Sequence, residues 1–124
     1  MYKIYYNKLI RDKIPQNIKA KGQESQTRKL TTAEFKNELL KKIAEEALGV
    51  SRSKSRKILL SELADLLIVI GEVKKVHKIK AVELRSVIKN NYKLKGGFKR
   101  KLYLIWSSDG GYKSNESVQK RRRK

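Results

Sequence analysis

Apolar residues recur at every fourth position from Phe35 through Leu39 and Ile43 to Ala47, with polar and charged residues between them. That spacing keeps one apolar stripe on a helix of 3.6 residues per turn. Thr31, followed three residues later by Glu34, supplies a start signal: a capping box whose hydroxyl and carboxylate satisfy two backbone N–H groups reciprocally. Gly49 and the polar run Ser51 to Arg56 predict the end, because glycine is a frequent closing residue of helices. Ser53 or Ser55 is placed to cap a second long helix, Arg56 to about Val76. Its residues Ile58, Leu59, Leu63, Leu66, Leu67, Ile70 and Val73 form a wide stripe, and Leu60, Ala64, Ile68 and Val69 carry it around most of the circumference. A helix this apolar predicts a place at the centre of a bundle.

The flanking segments are shorter. Pro15 suits the first turn of a helix from about Ile14 to Ala20, ended near Gly22, and Gln23 to Leu30 reads as a polar connection. Leu84, Val87 and Ile88 give an inward face to a helix from Ala81 to about Tyr92, ending at Gly96-Gly97. Arg100 to Trp106 alternates more than it repeats every three or four, which predicts an extended segment. The pattern therefore describes an all-α helical bundle with a short extended C-terminal segment. It forms a single domain over 1–106, with an arm and short helix over 1–30, core helices over 31–95 and the extended piece over 98–106. The remainder, 107–124, has the composition of a solvated, flexible tail ending in KRRRK.

Two acids interrupt the greasiest stretch. Within LLSELADLLIVI, Leu59 to Ile70, Glu62 and Asp65 lie three residues apart, about 60° around the axis, and so leave one face together. A short loop would return this helix antiparallel to the one before it and bring Glu46 opposite the pair. Carboxylates converging in a bundle repel one another unless a cation lies between them, and oxygen-only ligands favour Mg²⁺ or Mn²⁺ over zinc. On the residues alone, a salt-bridged pair facing a lysine from a neighbouring helix fits equally well.

Charge widens the choice. Lysine and arginine total 32 against 12 acids, a formal charge of +20, which attracts polyanions such as nucleic acid or nucleotides. Lysines outnumber arginines 23 to 9, so a general lysine bias accounts for the excess as well as a dedicated polyanion site does. The chain has no cysteine, hence no disulfide and no thiolate metal site. Its longest apolar run, Leu66 to Ile70, is too short to span a membrane, and the N-terminus lacks a signal-peptide core. A cytoplasmic protein is the simplest expectation. The one histidine, His77, is set among Lys74, Lys75 and Lys78 and reads as a surface residue.

Four motifs carry a family likeness: NKLIRDKIP at Asn7 to Pro15, Glu45-Glu46, ELAD at Glu62 to Asp65, and KGGF at Lys95 to Phe98. In this order and spacing the chain resembles the MazG-like, all-α nucleoside triphosphate pyrophosphohydrolases, in the branch described as phosphoribosyl-ATP pyrophosphohydrolase-like. The resemblance spans roughly Tyr5 to Trp106. It implies a helical bundle, dimeric or larger, that hydrolyses a nucleoside triphosphate to a monophosphate and pyrophosphate with Mg²⁺, for which Mn²⁺ can substitute.

The family's metal motif is EExxE followed by ExxD. By position, the metal ligands are Glu46, Glu62 and Asp65, while Gly49 stands where the closing glutamate belongs. That replacement implies weaker metal binding and a helix that ends early, loosening the aim of Glu46. Glu45 is the candidate for orienting or deprotonating the attacking water. Lys8, Arg11, Lys13, Lys93 and Lys95 are candidate phosphate contacts, with Arg11 foremost because its planar fork suits phosphate oxygens. A different outcome is a fold that has lost catalysis and binds nucleotide, RNA or a ribosomal surface through its charge.

Overall fold

The first long helix starts where the capping box places it. In the computed structural model, which describes residues 2–111, the Thr31 hydroxyl accepts from the Glu34 N–H at 3.2 Å, and the Glu34 carboxylate accepts from the Thr31 N–H at 3.0 Å. The four helices are α1 (Ile14–Ala20), α2 (Thr32–Ser51), α3 (Arg56–Val76) and α4 (Ala81–Lys95), and no strand occurs among the described residues. The protein is all-α. No helix among the described residues is long and apolar enough to cross a membrane. Most of the expected basic tail lies outside the described residues.

Helix ends divide by mechanism. Gly22 and Gly96 have φ of +74° and +76°, left-handed values that a glycine adopts without steric cost, and they close α1 and α4. After Gly22, the Gln23 N–H reaches back to the Ile18 carbonyl at 3.2 Å. At the end of α3 the same turn is made by Lys78, with φ of +54°, and the Ile79 N–H bonds the Lys74 carbonyl at 2.8 Å. Ser55, rather than Ser53, caps α3 by accepting from the Ile58 N–H. The Ser53 hydroxyl instead donates to the Gly49 carbonyl at 3.0 Å.

Two boundaries differ from expectation. Helix α2 does not stop at Gly49: its backbone stays helical to Ser51, and the Arg52 N–H bonds the Leu48 and Gly49 carbonyls. Helix α4 runs through Tyr92 to Lys95 and ends directly before Gly96, as the double glycine predicts. Arg100 lies in a turn closed by the Lys101 N–H on the Phe98 carbonyl, with Lys101 at φ of +55°, so the expected extended segment does not begin at residue 100, and the described residues after it form no strand.

The chain divides into two units, Met1–Ser86 and Val87–Lys124. In the first, α2 and α3 pack as a hairpin across a four-residue connection. Gly49 lies beside Glu62, and Glu46 beside Asp65, so residue numbers fall along one helix as they rise along the other: the helices are antiparallel. Among the described residues only Leu39 of α2 and Val69 of α3, 3% and 5% exposed, are fully buried. One partner helix covers one face of α3, and Leu60 and Leu67 on its remaining surface are 57% and 66% exposed. The stripe that predicts a central helix is thus only partly covered within this chain. In the second unit Tyr92, Phe98, Tyr103 and Trp106 are exposed.

Candidate functional site

Position on the hairpin brings three acids together. Glu46 projects from α2, Glu62 and Asp65 from adjacent turns of α3, and one carboxylate oxygen of each lies within 4.8 Å of the others. All three side chains are half-buried. Like charges so close in a partly desolvated setting raise the cost of ionisation. For Glu46, burial first and then the neighbouring carboxylates of Asp65, Glu45 and Glu62 hold the pKa above the ordinary glutamate value, against the pull of Lys42.

Of the two cations that pair with the cluster, one is distant in sequence and one is local. Arg11 approaches the Asp65 carboxylate at 3.6 Å, a loose ion pair. Lys42, only 13% exposed, lies 3.8 Å from Glu46 and 3.2 Å from Glu45. Glu62 has no ion-pair partner among the described residues. Two contacts longer than a good hydrogen bond do not neutralise three carboxylates.

Glu45 is in a different position. Its carboxylate accepts a 2.7 Å hydrogen bond from Lys8, whose ammonium also stands over the Tyr6 ring, and a second from Lys42. The Lys8 hydrogen bond, with help from Lys42, lowers its pKa. A carboxylate held this way is a poor proton acceptor until its lysines are drawn off.

Of the other expected residues, Lys13 is the exposed N-cap of α1 and is not among the ion-pair partners of the cluster, and Lys93 and Lys95 are exposed in the last turn of α4, in the second unit. Asp12 neither caps α1, which lacks a side-chain cap, nor pairs with Arg11, whose partner is Asp65. His77 is exposed, as its lysine-rich surroundings imply. Lys42 is a local partner of both Glu45 and Glu46. Its i,i+3 and i,i+4 spacing to Glu45 and Glu46 shows the pairing, but only packing shows how little of it meets solvent.

The space at Gly49 is occupied: a Cβ built there would meet Glu62 Oε2 at 2.5 Å and Cδ at 3.1 Å. The space that a longer side chain would use is filled by the Glu62 carboxylate. Because α2 runs on to Ser51, Glu46 is also not left on a frayed end.

The donor set fits a hard divalent cation. It is all oxygen, anionic and underneutralised, and Mg²⁺ coordinates oxygens at about 2.1 Å, so opposite ligands stand roughly 4.2 Å apart. Adjacent ligands of such an ion stand only about 3 Å apart, so the three carboxylates, whose oxygens lie within 4.8 Å of one another, have to draw inward to share it. No family model matches the chain, and no curated protein or solved structure matches it.

Proposed function

We propose that the protein is a Mg²⁺-dependent nucleoside triphosphate pyrophosphohydrolase of the MazG-like kind, acting in the cytoplasm with Glu46, Glu62 and Asp65 as metal ligands. The observation that carries this reading is the convergence of those three carboxylates from two helices without sufficient cations of their own. A Mg²⁺ bound there supplies charge neutralisation for a phosphate chain and a polarised water. The reaction places the water oxygen on a phosphorus, breaks the bridging P–O bond and releases a monophosphate and pyrophosphate.

The chain's own groups have separable parts in it. Arg11 and Lys8 hold carboxylates at the rim of the cluster, and both are exposed enough for incoming phosphate oxygens to take them over. Transfer of Lys8 to phosphate removes the stronger of the two hydrogen bonds on Glu45. That frees Glu45 to accept a hydrogen bond from the attacking water, and its proton affinity rises as the lysine leaves. Lys42 stays behind as a largely buried counter-charge for Glu46.

A homo-oligomer belongs to the same reading, since the apolar residues of α3 left exposed by the hairpin, such as Leu60 and Leu67, require a second surface to cover them. A second function is favoured by a separate observation. Exposed Tyr92, Phe98, Tyr103 and Trp106 alternate with Lys93, Lys95, Lys99, Arg100 and Lys101, which is the composition of a stacking and phosphate-binding strip for single-stranded nucleic acid.

One assay separates the two. The purified chain is incubated with Mg²⁺ and a panel of canonical and modified nucleoside triphosphates, and pyrophosphate release is measured. Turnover that disappears in Asp65→Asn supports the hydrolase. Silence across the panel, together with tight RNA binding that weakens steeply with salt, supports the nucleic-acid binder.

A further inference from the structure

Glycine at position 49 has no backbone explanation. The residue lies inside α2 with helical geometry and lacks the positive φ that sets Gly22 and Gly96 apart. Glycine is among the weakest helix formers, so its presence three residues before the C-cap is unfavourable on propensity alone. What distinguishes the position is space. The absent side chain would point across the hairpin at Glu62, closer to Oε2 than any real Cβ is found. Gly71, the glycine inside α3, has nothing within 4 Å of the corresponding point, so this close approach is not general to helical glycines here.

Resting on the metal site proposed above, we infer that Gly49 is a positioning residue: its bare backbone is the seat that lets the Glu62 carboxylate lie beside Glu46 and Asp65. The site is therefore a three-carboxylate centre built around a gap that Glu62 fills, and not a four-carboxylate centre missing one ligand. Adding a methyl group at position 49 obliges the far end of the Glu62 side chain to swing away. That movement is cheap for the fold, because the end of a flexible side chain yields easily, but it removes one oxygen ligand from the cluster.

The inference predicts opposite signs for two measurements on one variant. In Gly49→Ala, the midpoint of urea unfolding in EDTA holds or rises, because alanine is the better helix former. Mn²⁺ affinity of the same full-length protein, followed by the electron paramagnetic resonance of free Mn²⁺, falls roughly 10-fold. In a Glu62→Ala background the same substitution leaves Mn²⁺ affinity unchanged, since there is no carboxylate to displace. Equal Mn²⁺ affinity in parent and Gly49→Ala would overturn this inference and leave the metal reading standing. A fall in both the midpoint and the affinity would overturn it as well, because damage to the fold then accounts for the loss. Failure of the parent to bind Mn²⁺ would overturn the proposed function, and this inference with it.

Discussion

Helix α2 carries a carboxylate site near each end, and the two are satisfied very differently. At the N-terminal end Glu34 accepts from the Thr31 N–H and makes a two-pronged contact with Arg28, at 3.2 and 2.8 Å, and its pKa is lowered to about 2. Toward the C-terminal end Glu46 has a single lysine at 3.8 Å, faces two other acids, and has its pKa raised. The first arrangement spends its charge on starting a helix. The second leaves charge uncompensated, which is the condition for recruiting a cation. The contrast teaches that the type of residue says little; the number and distance of its partners decide whether an acid is structural or available.

Each prediction tests one side of this contrast. The largest effect is expected from Asp65→Asn, which keeps the shape of the site but removes a charged ligand: pyrophosphate release should fall by roughly 100-fold or more while the urea midpoint is retained. Retained turnover would place the chemistry elsewhere. Thr31→Ala, at the satisfied end, should cost about 1 kcal/mol of unfolding free energy. Its Mn²⁺ affinity should match the parent, and a matching loss there would mean that the two ends are coupled.

Smaller effects sharpen the sign. At neutral pH Glu46→Gln should raise the unfolding midpoint, by removing a half-buried charge repelled by its neighbours, whereas Glu34→Gln should lower it. Two shifts in the same direction would erase the distinction. The pH dependence is smaller still. For Glu34, whose folded-state pKa is depressed, the stabilising contribution is full above the ordinary carboxylate value and is lost as pH falls through about 2. For Glu46 the folded state takes up a proton before the unfolded one, so stability grows as pH falls through its raised folded-state pKa. Curves of parent minus each Gln variant, measured by urea unfolding between pH 7 and the acid limit, should therefore slope in opposite directions.

Much of the contrast is visible in the chain itself, though unevenly. Thr31 and Glu34 are three residues apart, Glu62 and Asp65 likewise, and such spacings determine which groups share a turn or a face. Gly22 and Gly96 end helices where the pattern places them. Gly49 does not, because identical residues can be selected for left-handed backbone or for the room they leave, and only the neighbour across the hairpin tells which. Lys78 makes a left-handed turn that no residue preference announces. The Lys8 to Glu45 contact joins residues 37 apart, and Arg11 reaches Asp65 across a still longer separation, so neither follows from local spacing.

By itself the sequence determined the helical class, the starts of α2 and α3 and the common face of Glu62 and Asp65, because capping and periodicity act between residues a few positions apart. The sequence also places Glu46 opposite that pair; only the tertiary structure decided that the triad is underneutralised, that Glu45 is held by lysines, and that the Glu62 carboxylate occupies the space over Gly49. Those outcomes depend on how two helices meet, and distances across a hairpin are set by packing.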